Sequence, residues 1–303
     1  MDRIDKNPIP NDTKEVRLFM VGIDSAHLIP HVLKHHFDIG VDRVFYIDND
    51  SSDNSLALLE KYENVHIWSQ KAKFDQKNHK SGAAWVEKLL AQYGVGYWCL
   101  LLDLDELFVF PQYEKRSIKD FVRKQQEGGF EYVGARHIDM YSNQKVKDTR
   151  INGSLLKSCP YYDRSEYGCR ERVLGFKSYY QKTPLVFYKP SMILASGYHS
   201  ISIPGFTLKK FVFNITRRAL LREPIPLTIN EEHKRSREKG AILHFKFLSN
   251  LSDFMLNHGD KMTDSEAKRA VYAGIADINF YDKCHSVAYS GSSDLKYFEQ
   301  FTS

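Results

Sequence analysis

Tyr97-Trp98-Cys99-Leu100-Leu101-Leu102-Asp103-Leu104-Asp105-Glu106-Leu107-Phe108-Val109-Phe110-Pro111 decides how the rest of the chain is read. An apolar run enters a cluster of carboxylates and then resumes, with Gly94 and Gly96 ahead of it and Pro111 behind. A continuous apolar run of that length, so bounded, predicts a strand buried on both faces. Acids that end such a strand lie at the carboxyl edge of the sheet, where open α/β folds place ligands. Asp103 and Asp105 are two apart, so on an extended chain both side chains leave the same face. Close carboxylates repel, and a divalent cation relieves that repulsion; plain solvation at a strand end is the alternative.

Working outward, Val16–Ile23 predicts a first buried strand. Pro30 opens a helix whose apolar positions recur at helical spacing up to Gly40. Val44–Ile47 predicts a second strand, ending in the polar loop Asp48-Asn49-Asp50-Ser51-Ser52-Asp53. Val65–Trp68 predicts a third, followed by a loop with Lys71, Lys73, Lys77 and Lys80 and then a helix over about 81–92. Strand and helix thus alternate up to the opening stretch, the pattern of an α/β fold with a mainly parallel sheet and right-handed crossovers. There is no G-x-G-x-x-G after the first strand and no G-x-x-x-x-G-K anywhere, which excludes the usual dinucleotide fingerprint and the P-loop.

Beyond Pro111 a helix is expected over 117–126 and a strand over 132–138, with a polar, aromatic loop region over 142–183. Further strands are expected at 185–188, 192–194 and 241–247, with helices after them. The expected organisation is an arm over 1–15, a ligand-binding half over 16–111, a second half of the same domain over 112–260, and a helical extension over 261–303.

At 303 residues, 42% hydrophobic and 27% charged, the composition is that of an ordinary globular protein. A net charge of +5 suits an anionic substrate or membrane surface and is too small to argue for nucleic acid. Cys99, Cys159, Cys169 and Cys284 form no CxxC pair, which fits a reducing compartment. No apolar h-region opens the chain and no run is long enough to span a bilayer, so a cytoplasmic protein is expected. The basic segment 217–237 is suited to docking on anionic lipid at an inner membrane surface or on a phosphorylated acceptor.

Asp24, the Asp48/Asp50 loop and Asp103/Asp105 each follow a predicted parallel strand, so they are expected to converge on one cleft. Lys80 and its neighbouring lysines would offset that charge or hold a diphosphate. His244 and His199 are candidate ligands, although each taken alone reads more readily as a hydrogen-bonded core histidine, whereas His35-His36 reads as structural.

Several of these motifs resemble the bacterial family 2-like glycosyltransferases. Asp24-Ser25-Ala26-His27-Leu28-Ile29-Pro30-His31 with Gly40-Val41-Asp42 is similar to their opening. Tyr46-Ile47-Asp48-Asn49-Asp50-Ser51-Ser52-Asp53 is similar to their D-N-x-S-x-D element, and Trp98 to Phe108 to their W-x-x-x-x-D-x-D-E-F segment, with Leu107 in place of Phe. Lys189-Pro190, Ile193 and His199, then His244-Phe245 and Ser249, are looser matches: an Arg is missing near 189–193 and Leu248 replaces a Lys.

The resemblance implies a GT-A fold and an inverting transfer of a sugar from a nucleotide-diphosphate donor, a UDP-sugar above all, to a glycan or glycolipid hydroxyl. It implies Mn²⁺ or Mg²⁺ as cofactor and a place in lipopolysaccharide or surface-polysaccharide synthesis. By motif, Asp48 would contact the nucleobase or ribose, with Asp50 in the same loop; Asp103 would lie near the ribose and metal; Asp105 would coordinate the metal; His244 would complete the site. An inverting displacement needs a base. Asp139 is the first candidate and Glu106 the second, although Glu106 could instead brace the site by an ion pair. The rival readings are a metal-dependent nucleotidyltransferase or pyrophosphatase and a non-catalytic carbohydrate-binding protein.

Overall fold

A computed structural model of the protein describes residues 1–71, 81–165, 168–175, 181–195, 200–202, 234–262 and 266–299. Lys73, Lys77, Lys80, His199 and most of the basic segment 217–237 lie outside them.

The first half alternates as its pattern predicts. A short β1 (Asp2–Arg3) precedes β2 (Val16–Gly22), α1 (Ile29–Asp38), β3 (Arg43–Asp48), α2 (Ser55–Leu59), β4 (Val65–Ser69), α3 (Ser81–Tyr93) and β5 (Trp98–Leu101). Then come β6 (Glu106–Val109), α4 (Ile118–Glu127), β7 (Tyr132–Asp139), α5 (Leu155–Ser158), β8 (Tyr161–Asp163), α6 (Gly168–Leu174) and β9 (Gln181–Phe187). The pair β10 (Ile193–Ala195) and β11 (Ser200–Ser202) stands apart, and β12 (Gly240–His244) returns to the main sheet.

That sheet has the order β1-β4-β3-β2-β5-β9-β7-β12-β6. β2, β3, β4 and β5 are mutually parallel. β9 runs against both β5 and β7, and β12 lies parallel to β7, so β7 and β12 share the direction of β5. β1, β9 and β6 run the other way. The result is a mixed, mainly parallel α/β sheet flanked by helices.

Both faces of the sheet are covered, which is why β5 is apolar throughout and β2 and β3 carry only Arg17, Arg43 and Asp48 as charged residues. Leu18, Met20, Val44, Tyr46 and Leu100 pack against Val32 and Leu33 of α1 and Phe121 of α4. The alternating residues Phe19, Phe45, Cys99 and Leu101 pack against Val86, Leu89 and Leu90 of α3. Past the carboxyl edge, Tyr141, Phe247, Met255, Tyr272 and Phe280 form a third cluster that walls the same side of the molecule.

The opening stretch differs from expectation in one respect that matters. It is two strands, β5 and β6, lying far apart in the sheet, with Leu102 to Asp105 as the turn between them. The Glu106 amide donates to the Asp103 carbonyl at 3.2 Å, and the Asp103 amide donates to Glu106 Oε2 at 3.1 Å. The carboxylates therefore sit on a redirecting turn rather than on an extended strand. Leu104 is buried there, and Gly22 allows the close approach: a Cβ on Gly22 would lie 2.1 Å from both Leu104 Cδ1 and the Tyr46 hydroxyl.

Residues 142–183, read as loop, contain α5, β8 and α6, and 261–303 contain β13 (Ser286–Ala288), antiparallel to β8, beside short helices. These elements are too short to leave a hydrophobic period in the sequence.

The first residues lie along the sheet edge, with Asp2 opposite Ser69 and Arg3 opposite Trp68. Asp5 accepts from the Ile67 amide at 2.7 Å and from Arg3 at 2.7 Å, and lies 3.3 Å from His66 Nδ1. Burial alone would raise its pKa, but the hydrogen bonds from Arg3, Ile67 and His66 outweigh that and bring it down to about 2. A carboxylate depressed in the fold contributes stability that is present above its unfolded pKa, about 3.9, and is lost as pH falls through the folded value. Asp5→Asn is thus expected to lower Tm at pH 6, with the gap to wild type closing as pH falls from about 4 toward 2. Thermal melts across that range check it; a gap independent of pH would refute the assignment.

Candidate active site

The sheet's direction gathers the chemistry-bearing side chains. Asp24, Asp48, Asp103/Asp105, Asp139 and His244 follow or end β2, β3, β5, β7 and β12, all at the same carboxyl edge. β9 and β6 run oppositely, so their first residues arrive there instead: Lys182 and Glu106. Arg170 comes from α6.

His244 is the centre of the acidic side. Its Nε2 lies 3.1 Å from Asp105 Oδ2, and its Nδ1 lies 2.6 Å from Asp139 Oδ1. β12 pairs with β7 so that His244 stands opposite Asp139, and with β6 so that it stands opposite Glu106. The Phe245 amide donates to the Asp105 carbonyl at 2.7 Å, which fixes the turn against β12. Arg170 forms a buried ion pair with Asp139, donates to the Tyr272 hydroxyl at 3.0 Å, and has Nη2 2.8 Å from His244 Nδ1. A carboxylate only accepts, so a hydrogen on His244 Nδ1 goes to Asp139, Arg170 donates to Asp139 rather than to the imidazole, and Nε2 faces Asp105.

Glu106 is fully enclosed. Oε1 bonds with Lys182 and lies 3.1 Å from His137 Nε2, while Oε2 takes the Asp103 amide. Lys182 also donates to Asp103 Oδ2 at 3.2 Å. The Lys182 side chain is 7% exposed, that of Asp103 36% and that of Asp105 24%.

Charge follows from these contacts. Burial would raise the pKa of Asp105, but the His244 charge, its hydrogen bond and Lys246 hold it far below the carboxylate range. Asp139 is likewise pushed up by burial and brought far down by Arg170 and His244. Against its own burial, Glu106 is held well below its usual value by Lys182 and His137. Burial would lower His244, but Asp105 and Asp139 raise it; His137, desolvated and beside the His244 charge, drops to about 4.

The donor set suits a divalent cation. A carboxylate oxygen and an imidazole nitrogen 3.1 Å apart, with the other ring nitrogen anchored on a second carboxylate, is the arrangement that orients metal-binding histidines. Ligand atoms of Asp103, Asp105 and Glu106, and separately of Glu106, His137 and His244, lie within 4.8 Å of one another.

The remaining candidates fall elsewhere. Asp24, at φ 43°, accepts from the Ser52 amide at 2.6 Å and the Asp53 amide at 3.1 Å, and lies 2.8 Å from His258 Nε2, so its carboxylate is spent on holding the neighbouring loop after β3. Asp48 Oδ2 accepts from the Ser51 amide at 3.1 Å, while the buried Oδ1 and the neighbouring Tyr46 hydroxyl have no protein partner. Asp50, at φ 64°, pairs with Lys71 at 3.1 Å. His35 and His36 bond to the Phe108 and Val32 carbonyls, each at 2.8 Å, as core histidines do. Lys234 and Arg235, the start of the basic segment's described part, dock against the beginning of β7. Sequence reasoning missed Lys182, Arg170 and His137. Lys182 opens an antiparallel strand, and nothing local distinguishes it from a surface lysine.

Among the described residues no helix is long and apolar enough to cross a membrane. No protein-family model matches the chain, and no curated protein matches it. Solved structures resembling it include HddC from Yersinia pseudotuberculosis (12% identity, 42% of this chain and 58% of that one, TM-score 0.27). A protein assigned provisionally as a glucose-1-phosphate thymidylyltransferase, from Bacillus anthracis and in complex with sucrose, aligns over 88% of this chain and 97% of its own at 11% identity and a TM-score of 0.34. A 4-diphosphocytidyl-2C-methyl-D-erythritol synthase from Anaerococcus prevotii aligns over 86% and 96% at 10% identity and a TM-score of 0.30. The chain thus spans little more than half the length of HddC. The chain itself is built as a mainly parallel α/β sheet with a carboxylate–histidine cluster at its carboxyl edge.

Proposed function

We propose that the protein is a divalent-cation-dependent transferase that moves a sugar from a nucleotide-diphosphate donor to the hydroxyl of a glycan or glycolipid. The observation that carries the reading is the placement of His244, with Nε2 3.1 Å from Asp105 and Nδ1 anchored on Asp139, at the carboxyl edge of a parallel sheet. Mn²⁺ or Mg²⁺ bound there would supply Lewis-acid neutralisation of the leaving diphosphate.

The chain's own residues divide the remaining work. Asp105 and His244 hold the cation, and Asp103, the more exposed of the acidic pair, faces the donor ribose. Asp48 Oδ1, buried without a protein partner, accepts a hydrogen bond from the base or ribose of the donor. Asp139 and Glu106, the sequence-based candidates for the base, act in this reading as braces. Asp139 is engaged by Arg170 and His244, and Glu106 by Lys182, His137 and the Asp103 amide, contacts that favour their charged forms and occupy their oxygens.

Nucleotidyl transfer, the chemistry in the name of the Bacillus anthracis protein, is the second reading, since it would use the same cation cleft.

The test is a thermal-shift panel of nucleoside diphosphate sugars, nucleoside diphosphates and nucleoside triphosphates with and without Mn²⁺, followed by product analysis. Ligands that bind only the folded state raise Tm by mass action. A cation-dependent shift with a diphosphate sugar, and release of nucleoside diphosphate when an acceptor is added, is expected. Pyrophosphate release from a triphosphate and a sugar phosphate would replace this reading with the second. Stabilisation by diphosphate sugars regardless of Mn²⁺ would remove the cation from both.

A further inference from the structure

Glu106 belongs to both candidate cation groups, Asp103/Asp105/Glu106 on one side and Glu106/His137/His244 on the other, so the cluster offers two positions for positive charge. The first of these lies where Lys182 already is. Its ammonium contacts Glu106 Oε1 and lies 3.2 Å from Asp103 Oδ2, and its side chain is 7% exposed. The second position is blocked differently: His137 Nε2 and Lys182 share Glu106 Oε1, and Oε2 is committed to the Asp103 amide.

We propose that Lys182 is the positioning residue that makes this a one-cation site. It occupies the space between Asp103 and Glu106 as a resident monovalent charge and so directs a single divalent ion to Asp105 and His244. The inference rests on the cation-dependent reading above and goes beyond it by naming what sets the number of ions and their place. Lys246, whose ammonium stands 4.5 Å from the Tyr272 ring centroid, is a further cation of the cluster. The backbone explains why a lysine can do this. β9 is antiparallel to β5 and β7, so its start, rather than its end, reaches the carboxyl edge, with Lys182 opposite Ala135.

The experiment is Mn²⁺ binding to the purified full chain, by titration calorimetry and by the loss of the free-ion paramagnetic resonance signal. Wild type is expected to bind one Mn²⁺. Lys182→Met, which keeps the stem and removes the charge, is expected to bind a second ion or to tighten the first by about tenfold or more. Its Tm should also rise with added Mn²⁺ by more than that of wild type, because Asp103 and Glu106 have lost their counter-charge. Lys182→Arg, which restores a fixed cation, should return to one ion. A purely structural lysine would alter Tm in Lys182→Met but leave stoichiometry and affinity unchanged, and that outcome overturns the proposal. Should Lys182→Met not fold, wild type decides: two bound Mn²⁺ ions overturn the role of Lys182 while leaving a cation-dependent enzyme, whereas no bound ion overturns the cation-dependent reading itself.

Discussion

Asp105→Asn is expected to abolish measurable Mn²⁺ binding and to cut sugar transfer by about 10²–10³-fold, the scale of losing one preorganised electrostatic contact to developing charge. The substitution keeps the shape of the turn, since the contact that fixes it is the Phe245 amide on the Asp105 carbonyl, a main-chain bond. What it removes is the anion 3.1 Å from His244 Nε2. Asp139→Asn provides the graded control. That carboxylate touches the other nitrogen of the ring, and loss of such a supporting partner costs about 10–100-fold in metal affinity. Calorimetric titration of both variants, alongside a product assay, checks the order Asp105 before Asp139. Full transfer by Asp105→Asn in Mn²⁺ buffer would place the cation, if any, elsewhere.

Arg170→Met is expected to produce the largest loss of stability. Arg170 is buried between α6 and β7, donating to Asp139 and Tyr272, with its guanidinium carbon 5.6 Å from the Phe247 ring centroid. Removing one partner of a buried pair leaves the other charge uncompensated and costs about 3–5 kcal/mol. In a chain of this size that is a fall in Tm on the order of 10 °C. The double variant Arg170→Met/Asp139→Leu should recover part of the loss, because replacing both charges by apolar groups avoids the orphaned anion. It should not recover cation affinity, since His244 has lost the carboxylate that orients it. Stability and binding thus separate in one comparison, read by denaturant unfolding and by Mn²⁺ titration. A single variant as stable as wild type would mean that Asp139 finds another donor.

The apolar run before Asp103 and the three strand–helix pairs ahead of it are local patterns, and they determine a mainly parallel sheet covered on both faces. Once the strands are parallel, Asp24, Asp48, Asp103 and Asp105 must arrive at one edge, so the place of the cleft is legible from the sequence as well. His244 stood out as a histidine in an apolar strand. The partners of these residues were not legible. Period-two and period-3.6 patterns report which face of an element is buried, not which strand lies beside it. Lys182 reaches the carboxylates only because β9 runs backwards between β5 and β7, and Glu106 meets His244 only because β6 crosses to the far end of the sheet. The turn at Asp103–Glu106 is hidden for a similar reason: apolar residues on both sides of it read as one strand, although they belong to two.

The roles of the acids depend on those partners. The same carboxyl group is a brace at Asp139, where Arg170 and His244 hold its charge, a loop anchor at Asp24, where backbone amides consume it, and a solvent-facing ligand candidate at Asp105. The sequence by itself determined the sheet, its direction and the edge at which acids gather. Only the tertiary structure decided which of those acids are already neutralised, because the arginine and lysine that do so come from chain segments 31 to 79 residues away.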